Sequence, residues 1–289
     1  MNEVRLVADC HNKLGEVPVW DVVERALYWV DIEGQLLQRH TPATGEIRIW
    51  RMPERIGSFA LREGGGLVVA FASGVAFYDL EDGKIEWISR PDTTPGNRFN
   101  EGKCDRKGRF WAGTMDDGLA AHSGAVFRID PDRSVHRMIG DVCISNCFVW
   151  SLDNTKFYFA DSAEKRIYCY PYDHASGAIG ERSLFVDTSA DNVVPDGGTI
   201  DEQGYIWNAQ WGGWRVVRYA PDGTVDRVIR LPVERVTSCM FGGPELKTLY
   251  VTSAIWDLTS DQLKLQPHAG GLFAIDLDVG GVPEPRFGG

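Results

Sequence analysis

Acidic and amide side chains recur at one fixed place along the sequence, nine to eleven residues ahead of segments that begin with an apolar or aromatic residue. Six residues occupy this place, and four of them carry a carboxylate or a carboxamide: Glu16, Gly57, Asn100, Asn146, Asp196 and Ser238. Carboxylates facing each other across a narrow opening would repel unless a cation lay between them. Oxygen ligands suit divalent ions such as calcium, magnesium and manganese, and they do not exclude zinc or ferrous iron.

Three of these residues form the predicted ligand set for one divalent ion. Glu16, Asn146 and Asp196 each supply an oxygen, and three protein ligands leave coordination positions open for water and substrate, as in catalytic metal sites. Asp and Asn are also common turn formers, and any one of these residues alone is more simply interpreted as part of a turn. Four such residues in register are harder to explain in that way.

An internal repeat predicts which elements position these residues. One motif, an apolar strand followed by a turn and a second strand, recurs six times, which is typical of repeat architectures. The copies span 17–32, 57–71, 100–115, 147–162, 196–211 and 238–254. Their second strands are predicted to begin at Leu27, Leu67, Phe110, Phe157, Tyr205 and Leu249, with spacings of 40 to 48 residues.

A second motif, in which apolar residues flank a Gly or Asp turn, follows each copy of the first and predicts another hairpin. Six four-stranded sheets of about 40–50 residues each are typical of propeller blades. The sequence therefore predicts an all-β fold, a six-bladed β-propeller of four-stranded antiparallel blades that forms a single domain over 1–289. Segment 4–9 would complete the last blade, and 257–266 would form a short helix. Another closed β fold is the alternative, although six copies nearly fill the chain.

The radial arrangement of propeller blades gives the repeat its functional meaning. The innermost strand of each blade lines a central channel, so in-register residues from different blades converge at one mouth of that channel. We therefore expect Glu16, Asn146 and Asp196 to meet there, although they lie far apart in the chain.

Composition excludes several classes of partner. The chain has 30 basic and 41 acidic residues and a net charge of −11, which argues against a phosphate-binding nucleic-acid groove and a polybasic membrane surface. It has no long apolar run and no signal-peptide pattern at its start, so we expect a cytoplasmic protein, a monomer or small homo-oligomer. The six cysteines form no CxxC pair and are expected to be reduced, mostly buried thiols.

Several motifs together resemble the gluconolactonase/regucalcin-like family, also called senescence-marker-protein-like. They are LGEVPVW (14–20), RFNEGKCDRKGRFWAGTM (98–115), ISN (144–146), VPDG (194–197) and WGG (211–213). They follow one another along essentially the whole chain. The resemblance implies a six-bladed propeller that hydrolyses a sugar lactone with one divalent metal ion, and it extends to the bacterial sugar-acid lactonases.

The resemblance also implies roles for individual residues. The metal ligands of the family fall on Glu16, Asn146 and Asp196, and its sugar contacts fall on Arg98 and Asn100. The chain departs from the family pattern beside these positions, and we expect the departures to affect substrate preference more than reaction type. They are Val17, Glu101, Cys147 and the stretch 208–210, which ends in Gln210.

The predicted reaction is hydrolysis of an aldonolactone to the aldonate, with Asp196 as general base and Arg98 on the substrate. Asn100 would bind the sugar or approach the metal as a fourth oxygen. An aryl-ester or phosphotriester hydrolase on the same fold is one alternative, which the lack of a histidine among the in-register residues disfavours. A non-catalytic calcium-binding or scaffold propeller is the other.

Overall fold

Six antiparallel sheets of four strands form a ring in the computed structural model, which describes residues 3–289. The innermost strand of each sheet contacts the innermost strands of the two neighbouring sheets, and the last contacts the first. The ring is therefore closed, and the prediction of a six-bladed β-propeller with four-stranded antiparallel blades is confirmed.

The strands follow the predicted repeat closely. The chain begins with β1 (Val4–Ala8). Blades 1 to 3 comprise β2 (Gly15–Asp21), β3 (Ala26–Asp31), β4 (Leu36–Thr41) and β5 (Glu46–Arg51); β6 (Ile56–Leu61), β7 (Leu67–Phe71), β8 (Gly74–Tyr78) and β9 (Ile85–Ser89); and β10 (Asn97–Cys104), β11 (Phe110–Asp116), β12 (Gly124–Ile129) and β13 (Val135–Val142).

Blades 4 to 6 continue in the same order. They comprise β14 (Ser145–Trp150), β15 (Lys156–Asp161), β16 (Arg166–Pro171) and β17 (Ser183–Asp187); β18 (Val194–Ile200), β19 (Ile206–Trp211), β20 (Arg215–Tyr219) and β21 (Val225–Arg230); and β22 (Val236–Gly242), β23 (Thr248–Ser253) and β24 (Leu272–Asp276) together with β1. The six second strands begin within one residue of their predicted starts.

Blade 6 combines strands from both ends of the described chain. Strand β1 pairs antiparallel with β24 and forms the outer edge of the sheet, whose order is β1-β24-β23-β22. This confirms that segment 4–9 completes the last blade. The pairing covers the edge of β24 and joins the two ends of the ring.

Burial decreases from the axis outward, which explains the sequence pattern of each blade. Strands β2 and β6 are buried at every position, whereas β5 is almost entirely exposed. Two tryptophans pack between blades, and the indole N–H of each finds an acidic partner in the preceding turn: Trp111 Nε1 donates to Asp105 at 3.0 Å and Trp207 Nε1 donates to Asp201 at 2.9 Å. These repeated bonds satisfy polar atoms in the blade interfaces.

A register shift interrupts the innermost strands beside the in-register residues. It falls between Glu16 and Val19 in blade 1 and between Asn146 and Val149 in blade 4, and the same irregularity occurs in blades 3 and 5. A β-bulge of this kind re-aims the side chain beside it. The sequence pattern did not predict these bulges.

A short α-helix lies at the predicted place, in the connection between β23 and β24 of blade 6. Helix α1 (Ser260–Leu265) is shorter than the predicted 257–266, because Thr259 caps its first turn in a capping box with Gln262. Within residues 3–289, none of the helices has the length and apolar character needed to cross a membrane.

The C-terminal segment 279–289 runs back across several blades. It bridges Asp201 of blade 5 through Gly281 and Arg62 of blade 2 through Phe287. The Phe287 ring is fully buried and lies 5.9 Å from the ring of Phe77. This segment therefore holds blades together in addition to the pairing of β1.

Substitution of the buried anchor should measure that contribution. We expect Phe287→Ala to lower the free energy of unfolding by about 3–5 kcal/mol, because it removes a large apolar side chain and leaves a cavity. Leu265→Ala is the control, since that side chain is 83% exposed and should change stability by no more than about 0.5 kcal/mol. Urea unfolding measures both; equal stabilities would contradict an anchoring role for Phe287.

Candidate metal and substrate site

One cavity of about 470 Å³ contains all five residues predicted for the site. Glu16 comes from β2, Asn146 from β14 and Asp196 from β18, and each lies beside the bulge of its strand. Arg98 and Asn100 come from β10 and line the same cavity. Five residues from four blades therefore line one cavity, and four of them, Glu16, Asn100, Asn146 and Asp196, are the in-register residues whose convergence the repeat predicts.

The two carboxylates of the site are buried close together. Burial, followed by their mutual repulsion, raises the pKa of Asp196 well above its usual range, and burial is also the main cause of the raised pKa of Glu16. They are close enough for one to donate a hydrogen bond to the other when protonated. Neither forms an ion pair with a basic side chain among residues 3–289. Two buried carboxylates without a basic partner fit a divalent cation.

Hydrogen bonds orient the amide of Asn146 as a third oxygen ligand. Its Nδ2 donates to Ser162 Oγ at 2.9 Å, and that hydroxyl donates to the Pro195 carbonyl at 2.6 Å. The Oδ1 atom is left beside Asn100, whose Nδ2 donates to it at 3.3 Å. An amide oxygen is an appropriate ligand for the same class of ion.

The guanidinium of Arg98 is fixed by three acceptors. Its Nε donates to Asp117 at 2.7 Å, and its Nη1 donates to Asn100 Oδ1 at 2.9 Å and to the Phe99 carbonyl at 3.1 Å. Within residues 3–289 its Nη2 makes no hydrogen bond. A buried, pre-oriented arginine with a free donor in the cavity suits a ligand with several oxygens.

The sequence analysis missed a second arginine beside the cavity. Arg55 Nη1 donates to Glu33 at 2.9 Å, and its Nη2 donates to Asp117 at 2.9 Å, so that Asp117 holds two arginines. Arg55 stands two residues before the in-register Gly57, just as Arg98 stands two residues before Asn100. Extending the repeat by two residues would have identified it.

The cavity lining also contains apolar residues, and one of them was indicated by no motif. Trp256 is 46% exposed and lines the cavity with Trp211 and Leu119. Trp256 lies in the connection after β23, outside every repeated motif. The cavity thus presents arginines, acids and aromatic surface together, a combination that suits a sugar ring with polar edges and an apolar face.

The residues that depart from the family pattern lie behind the cavity and not on its surface. Glu101, Cys147 and Gln210 are buried and absent from the lining. Val17 and Cys147 both have left-handed backbone conformations, with φ of 47° and 55°, at places where the family pattern favours small residues. Gln210 is held within its own blade, since its Nε2 donates to the Tyr219 hydroxyl at 2.7 Å.

Glu101 and Lys103 lie on the channel side of β10. The Glu101 carboxylate accepts a hydrogen bond from the Cys147 amide, and burial raises its pKa to about 7 against the opposing effect of Lys103. Lys103 Nζ donates to the Gly198 carbonyl at 2.7 Å and lies 3.6 Å from Glu284 of the C-terminal segment.

Histidines contribute little to this site. No histidine lines the cavity within the described part of the chain. His122, Asp161 and Glu164 lie close enough to hold an ion, but His122 is half exposed and Asp161 accepts backbone N–H groups from Cys143 and Ile144. That group is explained by its role in fixing the turn.

The cysteine thiols form no disulfide bonds among residues 3–289. All six cysteines are free, four of them buried and two half-buried, as the sequence analysis predicted.

The family model described as the SMP-30/gluconolactonase/LRE-like region matches residues 14–255, which include every candidate ligand. The chain belongs to this family. Regucalcin of Xenopus laevis is 38% identical over 285 residues, or 96% of this chain and 95% of that protein. The 6-deoxy-6-sulfogluconolactonase of Pseudomonas putida is 38% identical over 292 residues and 100% of both chains. The solved structure of a calcium-binding regucalcin from Agrobacterium tumefaciens, 28% identical, covers 99% of this chain and 97% of its own with a TM-score of 0.95.

The buried carboxylates predict how the stability of this SMP-30/gluconolactonase-like protein depends on pH without metal. Glu16 has a folded-state pKa raised from 4.5 to about 8, so its contribution is present below the unfolded value and lost as the pH rises through the folded value. We expect the Tm of chelator-treated protein to fall between about pH 4.5 and about pH 8.

Thermal melts with and without chelator test this expectation. A saturating divalent ion should raise the Tm most at the upper end of the window, since it stabilises the ionised carboxylates. Asp196→Asn should flatten the pH dependence, because it removes one of the two repelling groups. A Tm that rises across the window in chelator would contradict the assignment.

Proposed function

We propose that the protein is a metal-dependent lactonase that hydrolyses an aldonolactone to the aldonate. The observation that carries the proposal is the buried Glu16–Asp196 pair, which meets Asn146 in a cavity also lined by Arg98. The lactonase name of the Pseudomonas putida relative supports this reaction class. A cytoplasmic, single-domain enzyme of sugar oxidation remains part of the proposal on sequence grounds.

Glu16, Asn146 and Asp196 would hold one divalent ion, whether calcium, zinc, manganese, magnesium or ferrous iron. The all-oxygen donor set and the two buried, unpaired carboxylates are what favour such an ion. When bound, the ion would supply Lewis-acid polarisation of the lactone carbonyl and acidification of a water molecule.

Asp196 is assigned as the general base. It is a buried carboxylate in the cavity, and a carboxylate there can accept the proton of the attacking water while the lactone C–O bond breaks. Burial keeps bulk water from competing for that proton. The water oxygen forms the new bond to the carbonyl carbon, and Asp196 passes the accepted proton to the ring oxygen, which leaves as the new hydroxyl of the aldonate.

Arg98 and Asn100 are assigned to substrate positioning. The Nη2 of Arg98, which hydrogen bonds nothing else in residues 3–289, would donate to hydroxyl groups or to the lactone oxygen. Asn100 fixes that guanidinium through its Oδ1 and stands next to Asn146. Their contribution is to orient a reactive ester, which needs modest acceleration.

The base assignment predicts a loss of turnover in one variant. Asp196→Asn should lower kcat by about 10²–10⁴-fold, because it removes the proton acceptor and one anionic ligand. Asp222→Asn is the control, since Asp222 lies in an exposed turn of blade 5 and should leave kcat unchanged. A pH-stat assay on a panel of aldonolactones measures both; full activity of Asp196→Asn would end the assignment.

The positioning role predicts a different kinetic signature. Asn100→Ala and Arg98→Lys should lower kcat/KM by about 10–100-fold, chiefly through KM, because each removes a hydrogen bond to or from a charged group. Their metal affinity in calorimetry should stay close to that of the unaltered protein. An effect confined to kcat would instead favour a direct part in the chemical step.

Chelation separates the lactonase from the other candidate functions. Hydrolysis of a sugar lactone that stops on chelation and returns with added ion supports the proposal. Ion binding without hydrolysis of any aldonolactone would favour a calcium-binding or scaffold propeller. Preference for aryl esters or phosphotriesters would favour the alternative hydrolase, for which the cavity offers arginines and no histidine within residues 3–289.

A further inference from the structure

We propose that Glu101 and Lys103 set the affinity of the candidate metal site through charges of opposite sign placed in the central channel. The inference rests on the part of the proposed function that assigns the ion to Glu16, Asn146 and Asp196. It makes no use of the substrate.

The repeat register places Glu101 in a ring of residues that directly follow the in-register positions. The other five members of that ring are uncharged: Val17, Ser58, Cys147, Gly197 and Cys239. Glu101 comes from blade 3, yet it accepts the Cys147 amide of blade 4 and interacts electrostatically with Glu16 of blade 1. One negative charge therefore lies within electrostatic reach of a candidate ligand.

Lys103 crosses the same channel two residues further along β10. Its ammonium donates to the Gly198 carbonyl of blade 5 at 2.7 Å, and its charge acts directly on Glu101. Glu284 approaches it at 3.6 Å from the C-terminal segment, but Glu284 also lies in the field of Arg106. Lys103 is thus the basic group that faces Glu101.

Both charges are shielded from solvent. Glu101 is 2% exposed, and its Oε1 has no hydrogen-bond partner among residues 3–289. The side chain of Lys103 is 8% exposed. Charges removed from water act on their neighbours much more strongly than surface charges do, so these two groups must influence any ion held by Glu16 and Asp196.

The balance of charge around the axis is completed by a divalent ion. Three buried carboxylates, those of Glu16, Glu101 and Asp196, face one ammonium, and Arg98 is already paired with Asp117. Two negative charges are left over, which one divalent cation neutralises. Removing the Glu101 charge should therefore weaken ion binding, whereas removing the Lys103 charge should strengthen it.

Changes of opposite sign in ion affinity on replacing Glu101 and Lys103 distinguish this electrostatic role from ordinary structural support. If the two residues only held the fold together, replacing either would weaken ion binding and lower the Tm of the ion-free protein. Under the charge model, Glu101→Gln weakens ion binding, because it removes a negative charge from the surroundings of the ion. Lys103→Met does the reverse.

Calorimetric titration of the chelator-stripped full chain with manganese chloride, repeated with calcium chloride, tests the inference. We expect Glu101→Gln to raise the Kd by about tenfold and Lys103→Met to lower it by about tenfold. The double variant should return to within about threefold of the unaltered protein, because it keeps the net charge. The controls Glu63→Gln and Lys107→Met remove the same charges from exposed positions and should leave the Kd unchanged.

Shifts of the same sign in both single variants, or a double variant that stays far from the original Kd, would overturn the inference. If Lys103→Met does not fold, Glu101→Gln and the double variant still decide it. Parallel lactone hydrolysis separates the two proposals: opposite shifts without hydrolysis contradict only the proposed function, and hydrolysis with unshifted Kd values contradicts only this inference.

Discussion

Burial of like charge at the axis of the ring is the condition on which the site depends. Glu16 and Asp196 arrive from blades 1 and 5, and solvent that would stabilise their charges is excluded. Such a pair stays ionised only if a cation binds between its members. The packing of six blades around one axis therefore favours the binding of an ion. The raised pKa values of both groups show how strongly burial disfavours their ionised forms without such a cation.

The bulges of the inner strands orient the side chains of the site. A regular strand would alternate its side chains between the two blade interfaces, and the bulges beside Glu16 and Asn146 re-aim them towards the axis. Val17 and Cys147 adopt left-handed backbone conformations in these bulges. Non-glycine residues there carry strain, which proteins tend to retain at functional sites. In blade 4 the Glu101 carboxylate opposes this strain by accepting a hydrogen bond from the Cys147 amide.

The apolar periodicity and the recurrence of turn residues were sufficient to predict the propeller, the clasp by β1 and the convergence of Glu16, Asn146 and Asp196. Each of these features follows from a pattern repeated in every blade, so copies can be compared without coordinates. Helix α1 was predicted but with too early a start, because Thr259 caps its first turn and the helix begins at Ser260. Side-chain partners of single residues were beyond such a comparison.

The sequence alone thus determined the number of blades, the strand order and the identity of residues at equivalent places, because local hydrophobic patterning controls all three. The tertiary structure decided which side chains from different blades and connections face each other. The joining of Arg55 and Arg98 by Asp117, the presence of Trp256 in the cavity lining, and the bond of the Lys103 ammonium to the Gly198 carbonyl bring together residues from different blades or from connections. Distances across a ring depend on how six blades pack, and no stretch of sequence encodes them locally.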